Sequence, residues 1–180
     1  MPELCVCDAL AAYEAAAAVE GRWHLIHTRS RQEKALSETL SAQGIAYFLP
    51  LANIARSYAG RRVHVELPLF PGYVFVKGSL EQAYVADRTK RVAGIIQVVD
   101  QEKISRELRN LAVALASRVQ LDPYPFLRVG VKVSVRCGPL AGLEGIIESR
   151  NRRDRLILQV DVLGQATSLE IDGAILDVIE

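Results

Sequence analysis

The chain has 180 residues, half of them hydrophobic and 24% charged, with a formal net charge of +1 and three cysteines. That balance belongs to a folded protein of one ordinary domain or two small ones and excludes a disordered chain. No apolar stretch approaches the ~18 residues that cross a bilayer. The acidic first twenty residues lack the basic start of a secretory signal, and Cys5, Cys7 and Cys137 cannot build a disulfide framework, so the expected compartment is a reducing cytoplasm.

The small net charge conceals a division. Residues 1–21 carry four acids and no base, whereas residues 22–92 carry eleven bases and five acids. Basic charge concentrated in one region suits a polyanion or an acidic partner, and it equally suits a solvated face.

The run Ala9 to Ala18 has high helix propensity but few large side chains to bury. Residues 1–21 are therefore expected to be a weakly structured extension, helical at best. From Arg22 the pattern changes. Trp23 to Thr28 reads as a strand, and Ser30 with Glu33 forms a capping box ahead of a helix carrying Leu36 and Leu40 and stopped by Gly44. Ile45 to Leu49 is a short strand, and two alternating runs, Ile54 to Tyr58 and Val63 to Leu67, flank Ala59-Gly60 as a hairpin. Tyr73 to Lys77 is the most strand-like segment of the chain. A helix over Leu80 to Lys90, a strand over Ile95 to Val99 and a helix over Gln101 to Arg118 follow, the last with Ile104, Leu108, Leu111 and Leu115 on one face. This mixture specifies an α+β sandwich with an antiparallel sheet flanked by helices over residues 22–118.

Residues 119–127 read as a linker held extended by Pro123 and Pro125. Beyond it helix signals vanish. Val131 to Val135, Leu143 to Ser149, Leu156 to Val162, Thr167 to Ile171 and Ile175 to Ile179 are five short strands, so residues 128–180 should form a small five-stranded β-barrel.

Catalytic signatures are missing: the chain has no nucleophile elbow, phosphate loop, dinucleotide loop or H-E-x-x-H. Cys5-x-Cys7 lacks a second pair at zinc spacing, and His24 and His27 point to opposite faces of one strand. The expectation is a protein that is not an enzyme and holds neither cofactor nor metal.

Two motifs carry more information. In Leu67 to Val76 two prolines frame the start of a strand, and Tyr73 and Phe75 share one face while Val74 and Val76 share the other. One face is expected to pack on helices and the other to present an open apolar surface to a partner. In Val129 to Ile147 a strand turns through Gly138-Pro139, and Gly142 and Gly145 let the chain bend into the next strand.

Together these residues resemble the NusG family of transcription elongation factors, from Trp23-His24-Leu25-Ile26-His27-Thr28 and Glu33-Lys34, through the hallmark Phe70-Pro71-Gly72-Tyr73-Val74-Phe75-Val76 and Val92-Ala93-Gly94-Ile95, to a KOW motif over Gly130 to Ile147 and the final loop at Gly164 to Glu170. The resemblance implies an N-terminal domain that binds the clamp helices of the largest subunit of RNA polymerase through Phe70, Pro71, Gly72, Tyr73 and Phe75, and suppresses pausing. It implies an SH3-like barrel, built on Gly130, Gly138, Gly142 and Gly145, that recruits termination factor Rho or a small-subunit ribosomal protein through Leu140 and Leu163. Arg29, Arg31, Lys34, Arg61 and Arg62 would contact the non-template DNA strand. The stretch Gln43 to Leu51, the short hairpin, and Leu163 where the general factor has an aromatic resemble the specialised paralogues, RfaH and the antiterminators of polysaccharide operons. The expected molecule is a monomeric antitermination factor without membrane contact. The alternatives are a general elongation factor and a KOW-type RNA- or ribosome-binding module.

Overall fold

The computed structural model describes residues 9–58, 60–124, 130–150 and 153–179. Cys5, Cys7 and the linker residues 125–127 lie outside them.

Helix α1 (Ala9–Ala17) leads into strand β1 (Arg22–Thr28), helix α2 (Glu33–Ala42) and strand β2 (Ala46–Phe48). A hairpin of β3 (Leu51–Tyr58) and β4 (Arg61–Pro68) precedes β5 (Tyr73–Gly78), helix α3 (Leu80–Asp87), β6 (Val92–Gln97) and helix α4 (Gln101–Ala116). Strands β2, β5, β1 and β6 form an antiparallel sheet in that order, with Leu25 opposite Phe75 and Ile26 opposite Val74. Alternation then sorts the side chains. Ile26, Val74 and Val76 face Leu36 and Leu40 of α2 and Ala83 and Ala86 of α3. Trp23, Leu25, Phe48 and Phe75 face Tyr13 of α1 and Leu108 and Leu111 of α4. The sheet is covered on both sides, so the open apolar face expected beside Tyr73 and Phe75 is closed by α1 and α4.

The extension is also better held than its composition suggests. Tyr13 is buried, lies parallel to Trp23 at 6.2 Å between ring centres, and meets Phe48 edge-on at 5.8 Å. Its hydroxyl donates to the carbonyl of Ser105 on α4, 2.8 Å away. This aromatic, with Ala16 buried beside it and Leu10 packed on the same cluster, anchors a helix of otherwise small side chains. The capping box moves as well. Ser30 caps nothing: α2 starts after Gln32, with Arg31 in the left-handed region at φ 58°. The box that forms is Ser79 with Gln82, at the start of α3.

Beyond residue 121 the regular elements among the described residues are strands and two short 3-10 turns. Strands β8 (Val131–Val135), β9 (Glu144–Arg150), β10 (Arg153–Val160), β11 (Gln165–Ile171) and β12 (Leu176–Val178) pair antiparallel in the order β12, β8, β9, β10, β11. Val133 and Val135 point inward with Leu143, Leu156, Leu158 and Leu169. Two features depart from expectation. Residues 122–124 of the linker add a short strand, β7 (Asp122–Tyr124), to the free edge of β11, where Thr167 also donates its hydroxyl to the Asp122 carbonyl at 2.9 Å. And the barrel, expected to be independent of the preceding domain, packs on α4.

That packing joins both halves in one apolar cluster. Around it, Asn110 of α4 reads the first residue of β9 at two points: its amide donates to the Glu144 carbonyl at 2.9 Å and accepts from the Glu144 N–H at 3.4 Å. Ser117 donates to the Pro139 carbonyl at 3.3 Å, and Lys103 pairs with Asp161. The Asp161 N–H donates to the Glu107 carboxylate at 3.3 Å. A cleft of about 550 Å³ remains along this seam, lined by Glu107, Asn110, Lys132 and Gln159 among others.

Two predictions follow from these contacts. Replacing Tyr13 by Ala should cost about 3 kcal/mol, the usual loss for a buried ring, and red-shift the emission of Trp23, the only tryptophan, in a denaturant titration. The second concerns pH. Burial pushes the Glu107 carboxyl up from 4.5 to about 7, with Asp100 adding to the rise and Lys103 and Arg106 opposing it. A group that binds its proton more tightly when docked favours docking at low pH. The penalty for docking should be absent below pH 4.5, grow up to about pH 7 and stay constant above it. Energy transfer between dyes on the two halves should therefore fall from pH 5.5 to 8, and Glu107→Gln should flatten the dependence.

Candidate functional site

The turn between β4 and β5 is positioned from inside. Phe70 and Phe75 are buried in the cluster under the sheet, so they fix the turn and do not reach solvent. Between them Pro71 is exposed, and Gly72 and Tyr73 are half-buried. Gly72 adopts φ 89°, a conformation that L side chains avoid. Its N–H donates to the Glu33 carboxylate at 2.6 Å, and its carbonyl accepts from the Thr28 N–H at 2.8 Å. Glu33 is itself buried at the first turn of α2, where the helix dipole favours a carboxylate. His27 stacks on Tyr73 with ring centres 5.0 Å apart and 21° between planes. Exposed His27 and half-buried Tyr73 make a two-ring platform at the end of the sheet.

Basic side chains gather beside this platform. Arg29 and Arg31 are exposed in the turn after β1, and the Arg29 N–H donates to the Arg91 carbonyl at 2.7 Å. That bond holds the backbone of residue 91 beside the turn; Lys90 is exposed there, whereas Arg91 is half-buried with its Nε shut off from solvent, and the sequence reading singled out neither. Lys34 behaves differently. Its ammonium donates to the Glu66 carbonyl at 2.7 Å and ties α2 to the root of the hairpin. Arg61 and Arg62 are both exposed at the hairpin tip, but neighbouring residues on a strand face opposite ways. They belong to two surfaces, not one.

His24 is buried, with its Nε2 3.3 Å from the Gly78 carbonyl, and burial pulls its pKa below the usual value while that hydrogen bond opposes the fall. It lies on the opposite side of the strand from His27. Among the described residues no three His, Cys, Asp or Glu side chains converge to hold a metal ion.

In the barrel, Gly138 and Gly142 take positive φ at the turn between β8 and β9. Gly145 is needed for a different reason: a Cβ there would lie 2.6 Å from the Ile157 carbonyl oxygen. At Gly130 a Cβ would meet the Ile146 side chain. Leu140 is buried beside the Ser117–Pro139 contact, and Leu163 is half-buried in the turn after β10.

Removing the buried carboxylate tests the architecture of the turn. Glu33→Ala leaves the Gly72 N–H without its charged acceptor and should cost about 2 kcal/mol in urea unfolding. Glu33→Gln, which keeps a neutral acceptor, should recover about half of that.

Comparison with known proteins addresses the same segment. The family model described as "Transcription termination factor nusG" matches residues 21–112. Curated proteins named "Transcription termination/antitermination protein NusG" are similar along most of the chain. That of Rickettsia typhi is 25% identical over 166 residues, covering 84% of this chain and 86% of the relative. That of Vibrio vulnificus is 27% identical over 167 residues, covering 84% and 92%. A solved structure described as "Domain interaction in Thermotoga maritima NusG" aligns over 89% of this chain and 98% of its own, at 21% identity and a TM-score of 0.45. With more than half of its residues matched by the family model, and with the α+β domain followed by a five-stranded antiparallel sheet that β7 extends at one edge, the chain belongs to the NusG family.

Proposed function

We propose that this protein is a transcription antitermination and elongation factor that docks on the clamp helices of the largest RNA polymerase subunit through the turn at Pro71, Gly72 and Tyr73. The observation that carries this reading is the construction of the turn. Two buried phenylalanines, a buried carboxylate and a stacked histidine hold a small apolar surface rigid at the end of a sheet, and rigid aromatic anchors dominate protein interfaces. Arg29 and Arg31, with Lys90 exposed beside them, supply the cationic border that would meet the exposed non-template DNA strand.

The barrel is the recruiting module in this reading, with a small-subunit ribosomal protein or Rho as its partner. Leu140 is buried in the apolar cluster, so recruitment through it requires its exposure first. Leu163, where a ring would give a larger contact, favours an operon-specific role over Rho-dependent work. The names of the relatives favour the general termination/antitermination role instead. A nascent-transcript profile of a deletion strain separates the two: a few affected operons support the first, and a genome-wide change in pausing supports the second.

The docking surface itself is tested by substitution. Tyr73→Ala should weaken capture of core RNA polymerase by about 2 kcal/mol with an unchanged circular dichroism spectrum. If that variant unfolds, or binds polymerase as well as the parent, the turn is structural only.

A further inference from the structure

The β3–β4 hairpin stands apart from both sheets as its own two-stranded ribbon. Its register sorts every side chain. Tyr58 is opposite Arg61, Arg56 opposite Val63, Ile54 opposite Val65 and Ala52 opposite Leu67, and these eight residues share one face. Ser57, Arg62, Ala55, His64, Asn53, Glu66, Leu51 and Pro68 take the other. The first face therefore holds two guanidinium groups and no carboxylate. Its root is closed, with Ala52 buried, but its outer half is open: Tyr58 is 80% exposed at the tip, and Ile54 and Val63 are exposed below it. Among the described residues neither Arg56 nor Arg61 is held by a carboxylate or a carbonyl.

We propose that this face of the hairpin binds single-stranded DNA, with the Tyr58 ring as a stacking platform for one unpaired base and Arg56 and Arg61 as contacts to the flanking phosphates. The proposal deepens, and rests on, the nucleic-acid reading given above, and it assigns the role to Tyr58 and Arg56, which that reading did not include. The charge of the face excludes a cationic partner. An exposed tyrosine between two guanidinium groups matches the combination that holds single strands without sequence preference: stacking on a ring, and cations along the backbone. A duplex would not use the ring, because its bases are already stacked. The register also predicts a division: Arg61 belongs to this surface and Arg62 does not.

The test is fluorescence anisotropy of a labelled twelve-residue oligo-dT with the full 180-residue chain at several salt concentrations. Tyr58→Ala should weaken binding about tenfold, and Tyr58→Phe should stay within about twofold, because the ring and not the hydroxyl makes the contact. Arg56→Gln and Arg61→Gln should each lower the slope of log affinity against log salt by about 0.7, and Arg62→Gln should leave it unchanged. Since all four side chains are exposed, circular dichroism should show every variant folded. Unchanged affinity in Tyr58→Ala, a loss in Tyr58→Phe as large as in Tyr58→Ala, or equal slopes lost in Arg61→Gln and Arg62→Gln would each overturn the assignment. So would tighter binding of a duplex or of oligo-rU by the same face. Arg29→Gln/Arg31→Gln distinguishes the levels of the argument: if it loses binding while Tyr58→Ala does not, the nucleic-acid reading stands and the hairpin assignment falls. If the parent chain itself does not bind oligo-dT, both fall together.

Discussion

Helix α4 is asked to be apolar on more than one side, and most of the architecture depends on that demand. Ile104, Leu108, Leu111 and Leu115 make the stripe that a heptad-like reading finds, yet Ala112 and Ala114 are buried as well. The stripe covers the lower face of the sheet. Helix α4 also packs against α1 and against strand β10 of the barrel. Because these contacts converge on one helix, the two halves of the chain share one cluster instead of keeping separate cores. The electrostatic consequence falls on Glu107. It sits on the outer flank of α4, where the barrel closes over it, and pays for that position in desolvation.

Much of this order was visible in the sequence, and the failures have identifiable causes. Strand β5 is apolar on both faces because it lies at the centre of a sheet covered on both sides. Its pattern was legible, but its second cover comes partly from α1, whose largest buried side chain among the described residues is Tyr13. Propensity sums over ten residues cannot reveal that one ring finds a tryptophan across 10 residues and a serine carbonyl across 92. The capping box at Ser30 failed for a related reason. Glu33, the residue that should have closed it, is committed to the N–H of Gly72, 39 residues away, and a tertiary bond to a buried carboxylate outweighs a local cap. The linker was read as free because its prolines keep it extended, but extension is also what an edge strand requires, and the edge of β11 was available.

The candidate site divides in the same way. The identity of the turn at Phe70 to Tyr73 was legible, and so was the excess of basic residues before position 92. Which of those residues reach solvent was not. Phe70 and Phe75 share the motif with Tyr73 but serve the interior: Tyr73 and Phe75 lie on one face of β5, yet Phe75 sits inside the cluster and Tyr73 only at its border, a difference that alternation does not encode. Arg91 was missed because nothing in its neighbourhood marks it. The pairing of Thr28 with Val92 and the hydrogen bond from the Arg29 N–H bring its backbone beside the turn that carries Arg29 and Arg31.

Lys34 shows why counting cations is a poor guide to a binding surface. By type and position it belongs with Arg29 and Arg31, yet its ammonium is spent on the Glu66 carbonyl at the root of the hairpin. That bond gives it a positioning role. The turn carrying Arg29 and Arg31 leads directly into α2, and Lys34 lies on the first turn of the same helix, so one short segment holds the rim arginines and grips the ribbon that carries Arg56, Tyr58 and Arg61. The two basic surfaces are thereby fixed relative to one another through a single helix start, which Glu33, the neighbour of Lys34, also links to the turn at Gly72. The turn at Gly72 and the root of the hairpin thus both meet the start of α2, at residues 33 and 34, one side chain serving each connection. A strand that engages both basic surfaces would thus meet a preset geometry and would not have to order the hairpin at its own entropic expense.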